Sequence, residues 1–250
     1  MPVIIKTEEQ IGLMRKSGHL LSEVFDELEA SLKPGMSTLD IDTLGESIIR
    51  KMGCIPNFKN YEGYPASICV SINEEVVHGI PRADRILVEG NIVSLDAGLI
   101  YKGWHSDAAR TFGVGKIKPE AQKLIDVTKQ SFFEGIKKAK AGNRLYDISR
   151  AIDDYVTPYG YGIIKELTGH GIGQQLHEDP YVPNNRQLRR GLKLQKGMTL
   201  AVEPMIALGS RKIGWIDDDW TVVTQDGEIA AHYENTIAIT DGEPEILTIA

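Results

Sequence analysis

Apolar positions recur at helical spacing from the start of the chain. Ile11, Met14, Leu21, Val24, Phe25 and Leu28 share one face of a helix. Thr7 with Gln10 three residues on is a capping-box pattern, and Pro34-Gly35 is a stop. A helix is therefore predicted from about residue 8 to the low thirties, and a second from near Thr38 to just before Gly53. The period then changes. Ile68–Ile72 reads as a strand, and Ile92–Ile100 with His105–Val114 reads as a hairpin joined around Tyr101-Lys102-Gly103. Helices return over roughly Pro119–Ala141 and Leu145–Val156, and strands near Thr199–Ile206, Trp220–Thr224 and Glu228–Ile239. Asp226-Gly227, between the last two, is a two-residue hairpin signal. Tyr181–Gly191 is polar and expected on the surface.

The second set of elements repeats the first. Gly90-Asn91-Ile92-Val93-Ser94-Leu95-Asp96 returns 107 residues later as Gly197-Met198-Thr199-Leu200-Ala201-Val202-Glu203. The same offset relates Lys33-Pro34-Gly35 to Lys140-Ala141-Gly142, and Asp40-Ile41 to Asp147-Ile148. A repeat kept at one offset suggests a duplicated half-domain. The expectation is one α+β domain over residues 1–250, with halves of about 8–115 and 116–240, each of two helices and antiparallel strands. No linker is long enough to divide it. If the halves pack about a pseudo-two-fold axis, Asp96 and Glu203 face each other across it. Two buried acids are costly unless positive charge lies between them, and a metal is the obvious candidate.

Composition narrows the class. The chain has 250 residues, 42% hydrophobic and 25% charged, with a net charge of −7. No long basic run is present, which argues against nucleic-acid binding. Cys54 and Cys69 are too few for a disulfide framework and fit a reducing compartment. The N-terminal residues lack a signal-peptide core, and no apolar run reaches membrane-spanning length. A soluble cytoplasmic protein is expected.

Asp96 and Asp107 lie on the two arms of the first hairpin. If Lys102-Gly103 is the turn, Asp96 lies opposite Ala109, and Asp107 shares its face. Either aspartate alone is more often a solvated strand residue. Together, among small and apolar neighbours and with Glu203 in the matching repeat position, they read as ligands. Glu234 opens an apolar strand in His232-Tyr233-Glu234-Asn235-Thr236. His170 lies between glycines in Thr168-Gly169-His170-Gly171-Ile172-Gly173, glycines that leave space around the imidazole, and His177 follows seven residues later. That spacing is wrong for an HExxH zinc helix, and the glycine run lacks phosphate-loop spacing. His78 ends an apolar stretch beside a turn; a lone His there is commonly structural. No G-x-S-x-G elbow is present, so a serine nucleophile lacks support. Four carboxylates and one imidazole suit two divalent ions better than one tetrahedral zinc, and oxygen-rich donors favour Mn, Fe or Co. Such a pair activates water and polarises a carbonyl, which is hydrolytic chemistry.

Several motifs occur together in order: His78-Gly79-Ile80-Pro81, Asp96 and Asp107 eleven apart, Thr168–Gly173, His177-Glu178, Glu203-Pro204 and Tyr233-Glu234-Asn235-Thr236. This pattern resembles the type I methionine aminopeptidases over nearly the whole chain. The resemblance implies a pita-bread fold, two divalent ions (Co, Mn, Fe or Zn) and removal of the initiator methionine when the next residue is small. It implies that Asp96, Asp107, His170, Glu203 and Glu234 are metal ligands, with Asp107 and Glu234 bridging and Glu203 assisting proton transfer. It implies that His78 and His177 contact the scissile amide, and that Tyr61, Tyr64, Cys69 and Trp220 line the methionine pocket. Its partners would be nascent polypeptide N-termini at the ribosome, with no nucleic acid or membrane bound directly and the enzyme a monomer of the bacterial stand-alone form. Phe58, Glu62, Leu176, His232 and Asn235 depart from the usual family residues beside the site. Two other readings are an Xaa-Pro peptidase of the same fold and a non-catalytic binding module on it.

Overall fold

The structure, a computed structural model, describes residues 2–249. The helices are α1 Glu8–Ser31, α2 Thr38–Lys51, α3 Pro119–Ile136 and α4 Leu145–Val156. In chain order the strands are β1 Ile55–Pro56, β2 Ile68–Ile72, β3 Glu75–Val77, β4 Ile92–Tyr101, β5 Trp104–Gly113, β6 Gly162–Ile163, β7 Thr168–Gly171, β8 Glu178–Pro183, β9 Thr199–Val202, β10 Met205–Ala207, β11 Ile213–Trp215, β12 Val222–Thr224, β13 Ala230–His232, β14 Glu234–Ala238 and β15 Glu245–Ile246.

Local chemistry sets the helix ends as expected. Thr7 Oγ1 accepts from Gln10 N at 3.3 Å, and Gln10 Oε1 accepts from Thr7 N at 2.9 Å. The α3 helix stops at Ile136, short of the predicted Ala141. Its end tightens, with Ala139 N donating to Ile136 O, and Asn143 Nδ2 then caps Lys138 O at 3.0 Å.

The main sheet has nine strands in the order β1-β4-β5-β14-β9-β7-β8, with β2 also on β4 and β15 on β14. Its centre is the β5–β14 pair, one strand from each half. Outward from it come β4 on one side and β9 on the other. The helices cover one face. Val93, Leu95, Ala97 and Leu99 of β4 pack with α1 and α2, and Leu200, Val202 and Ile237 pack with α3 and α4. Side chains of alternate residues therefore point to the other face.

The 107-residue offset reappears in backbone contacts. Gly35 N donates to Leu87 O at 2.8 Å, and Gly142 N to Leu194 O at 2.9 Å. Asp40 Oδ2 accepts from Ser37 N at 2.8 Å, and Asp147 Oδ2 from Arg144 N at 2.9 Å. Isolated bridges join Ser37 to Ile86 and Arg144 to Lys193.

The second half departs from the predicted strands because its strands change sheets. The expected Thr199–Ile206 strand breaks at Glu203-Pro204 into β9 and β10. Pro204 has no N–H for the ladder, and β10 joins a separate sheet, β13-β10-β6. The expected Glu228–Ile239 strand starts at Ala230 and breaks at Tyr233 into β13 and β14. Asp226-Gly227 does turn the chain, with Thr224 Oγ1 donating to Glu228 O at 2.7 Å. It joins no hairpin: β12 pairs with β11 and β3, while β13 pairs with β10. Of the expected surface loop, residues 181–183 belong to β8, and Asn184 is buried with its Nδ2 on Glu203 O at 3.0 Å. No helix among the described residues is long and apolar enough to cross a membrane.

Candidate metal centre and active site

The first hairpin closes through Lys102 and Gly103, both at positive φ, as a two-residue turn requires. Its ladder runs unbroken from Ile92↔Gly113 to Tyr101↔Trp104 and places Asp96 opposite Ala109. Ala109 lies opposite Glu234 on its other side. On the outer side of β4, Cys69 lies opposite Asp96. One row thus crosses β2, β4, β5 and β14 as Cys69, Asp96, Ala109 and Glu234, all on the helix-free face. Asp107 is two residues from Ala109 on that face. The β9 strand extends the row: Asn235 pairs with Val202, so Glu203 follows where the ladder ends beside Glu234. His170 on β7 lies opposite Ala201, two residues from Glu203. The small side chain of Ala109 at the middle of the row leaves room between the acids.

All the expected site residues line one cavity of about 140 Å³: Asp96, Asp107, His170, Glu203 and Glu234 with His78, His177, Tyr61, Tyr64, Cys69 and Trp220. Donor atoms of Asp107, His170 and Glu234 lie within 4.8 Å of one another. His170 Nε2 is 3.7 Å from Asp107 Oδ2 and 3.7 Å from Glu203 Oε1. His170 Nδ1 donates to Gly171 O at 2.8 Å, so the proton sits on Nδ1 and the Nε2 lone pair faces the acids. Burial drives this imidazole down to about 3, so it is neutral. The flanking glycines serve a purpose other than open space around the ring. A Cβ on Gly169 would meet Ala201 O at 2.3 Å, and one on Gly171 would meet Asp179 O at 2.2 Å, so both allow neighbouring backbone to close in.

The acids carry the electrostatic signature of a cation site. Burial raises Asp96 to about 7. Burial first, and then repulsion from one another, pushes Asp107, Glu203 and Glu234 well above the usual carboxylate range. Asp96 Oδ1, Asp107 Oδ1 and Glu234 Oε1 are buried without hydrogen-bond partners. Orphaned carboxylate oxygens beside an unprotonated imidazole nitrogen are a donor set that fits divalent cations, whose charge reverses these shifts.

The rest of the cavity is aromatic and imidazole. Tyr61 Oη lies 2.9 Å from His177 Nδ1, and the His170 and His177 rings meet edge-on at 4.3 Å between centroids. His78 sits at φ +61° just after β3, a left-handed backbone rare for a residue with a Cβ. Tyr64 Oη holds the next residue by donating to Gly79 O at 2.9 Å, and Tyr64 packs edge-on against Trp220 at 5.2 Å. Burial lowers His78 to about 4, so both cavity-facing histidines that flank the acids are neutral donors or acceptors.

Phe58, Glu62 and Leu176 also line the cavity, although their sequence signal was only a departure from a family pattern. His232 is buried against Glu203 and Glu234. Asn235 is turned from the site, with its Oδ1 accepting from Arg110 and from Thr248 Oγ1.

The model of metallopeptidase family M24 matches residues 12–241. The chain belongs to family M24. Within M24, the methionine aminopeptidase of Clostridium acetobutylicum is 54% identical over 247 residues, 99% of either chain. The solved methionine aminopeptidase of Thermotoga maritima superposes with a TM-score of 0.97 at 41% identity over 100% of both chains. The Xaa-Pro dipeptidase of Bacillus anthracis shares the fold at a TM-score of 0.80 and 25% identity, but the match covers only 62% of that chain. The fold is the pita-bread fold of this family, and the chain is on its methionine aminopeptidase branch.

Proposed function

We propose that this chain removes the N-terminal methionine of newly made polypeptides when the second residue is small. The observation that carries the reading is the convergence of four acids and a lone-pair-bearing imidazole on one wall of a cavity lined elsewhere mainly by aromatic, apolar and imidazole side chains. Asp96, Asp107, His170, Glu203 and Glu234 would hold two divalent ions. Asp107 and Glu234, on the two central strands, would serve both ions. When bound, such a pair supplies Lewis acidity and a water nucleophile at neutral pH.

The side chains then divide the work. Glu203, at the open end of the row, takes a proton from the attacking water and passes it to the departing amine. His78 and His177 donate hydrogen bonds to the carbonyl oxygen as it gains charge. Tyr61 Oη, 2.9 Å from Nδ1, holds the His177 ring so that Nε2 faces the site. Tyr64, Cys69 and Trp220 form a slot suited to an unbranched thioether.

We further propose one catalytic domain over residues 1–250, built of halves 8–115 and 116–240, working as a cytoplasmic monomer on chains leaving the ribosome. The offset-matched contacts support the halves, and the two unpaired buried cysteines fit a reducing compartment.

The test is a panel of Met-Xaa peptides compared by kcat/KM, with Xaa-Pro peptides in the same assay. Met followed by Ala, Gly, Ser, Thr, Pro, Val or Cys is expected to be cleaved and Met followed by Leu, Lys or Phe spared. The cutoff should be graded, since a hydrophobic pocket discriminates by only about 1–3 kcal/mol per methylene. Faster cleavage of Met-Leu than of Met-Ala, or a preference for Leu over Met at the first position, would overturn the pocket assignment.

A further inference from the structure

His232 is 2% exposed, and neither of its ring nitrogens has a hydrogen-bond partner. Its backbone is well tied: N donates to Thr111 Oγ1 at 2.9 Å, and Thr111 Oγ1 donates back to His232 O at 2.9 Å. A side chain so placed is aimed by its strand, and this one is aimed at the acids. Nε2 lies 3.9 Å from Glu203 Oε2 and 3.9 Å from Glu234 Oε2. An imidazole buried with both nitrogens idle calls for an explanation.

A neutral imidazole carries one N–H and one lone pair. A proton on Nε2 faces the carboxylates and leaves only an acceptor without a partner at Nδ1. The donor atoms that cluster within 4.8 Å are those of Asp107, His170 and Glu234, a set without His232. His232 also enters from β13, which belongs to a different sheet from the strands that carry the acids. Glu203 and Glu234 line the cavity, while His232 is not among the residues that line it.

We propose that His232 is a positioning residue whose Nε2–H hydrogen-bonds the carboxylates of Glu203 and Glu234 in the ion-loaded centre and fixes which oxygens they turn to the ions. The inference rests on the metal-ligand reading of those two glutamates. A donor behind a ligand carboxylate orients it, and removing such a donor typically weakens metal binding about 10–100-fold.

The experiment is calorimetric titration of metal-stripped protein with Mn2+, for wild type, His232→Phe and His232→Gln, with near-UV circular dichroism to show that each is folded. Phe keeps a buried ring without nitrogen, and Gln restores an N–H donor. His232→Phe is expected to bind the same number of ions about 10–100-fold more weakly, and His232→Gln to remain within a few-fold of wild type. Three results would overturn the proposal: unchanged affinity in His232→Phe, loss of a whole ion in that variant, which would make His232 a ligand, or equal weakening in both variants, which would make its role one of packing. A wild-type protein that binds no Mn2+ would instead remove the metal reading beneath it.

Discussion

Lys6 and Glu178 meet in the interior with Nζ and Oε2 2.5 Å apart and side chains only 2% and 4% exposed. Asp107 and Glu234 are buried as well, with Asp96 and Glu203 half-buried beside them, but among the described residues the side chains at ion-pair range of their oxygens are His170 and His232. Both histidines are neutral, driven down by burial. The first cluster contains its own counter-charge. There burial lowers the lysine while Glu178 opposes the shift. In the second cluster burial raises the acids and they raise one another further. This chain buries a charge with a partner where it needs only structure. Where it leaves four acids without one, the counter-charge comes from outside.

The largest expected effect would break this contrast outright. Stripping divalent metal is expected to abolish hydrolysis of a Met-Ala peptide, by about 1000-fold or more for a centre that contributes several kcal/mol, and Mn2+, Fe2+ or Co2+ to restore it. Full activity in metal-stripped protein would mean that the acids need no external cation. Within the centre, Asp107→Ala is expected to lower bound metal and kcat more than Asp96→Ala, as measured by metal analysis beside kinetics.

The Lys6 pair is tested next. Lys6→Met leaves Glu178 buried without its partner, which should cost about 3–5 kcal/mol of unfolding free energy in urea titrations. Lys6→Met with Glu178→Leu should recover much of that loss. A single variant as stable as wild type would show that this pair does not depend on its counter-charge. His78→Ala and His177→Ala follow, each expected to bind as much metal as wild type but lose about 100–1000-fold in kcat, the usual cost of one donor to a developing oxyanion. If either loses an ion, the boundary between the acid centre and its surroundings is drawn wrongly.

The smallest effect is on pH dependence. An acid whose folded pKa is raised keeps a proton that the unfolded chain has lost, so stability falls as pH rises towards and through the folded value. Asp96, lifted to about 7 by burial, and the other three acids, also raised by burial and by repulsion, all act this way. The lowered histidines act oppositely, but their gain is complete once pH passes the unfolded value near 6.5. The Tm of metal-free protein is therefore expected to fall from about pH 6.5 to about pH 8, and saturating Mn2+ to flatten the slope because the loaded acids are ionised. A metal-free Tm that rises over that window would put a counter-charge already in place.

Much of the centre is legible before folding. Asp96 and Asp107 follow from alternation along an uninterrupted hairpin and a two-residue turn, both local rules. Glu203 follows from the 107-residue repeat. The segment around His170 is harder to read as a strand because glycines weaken β signals, and its glycines make sense only beside the carbonyls of Ala201 and Asp179. Local pattern does not place His232 against the acids, since alternation from Glu234 says nothing once the strand breaks at Tyr233, and only its departure from a family pattern puts it beside the site.

Residues and spacing alone carry the helices and their caps, the first hairpin with its register, the two-part repeat, and the acids and imidazole that the fold brings to one cavity. These depend on residues within a few positions of one another, or on a pattern copied along the chain. Only the tertiary structure decided that β9 and β10 part at Pro204, that β12 and β13 leave the Asp226-Gly227 turn for different sheets, and that Asn184, His232 and the Lys6–Glu178 pair lie inside. A strand's partner is set by which edge remains free and which face can be buried once the rest of the chain has packed, and no local pattern carries that information.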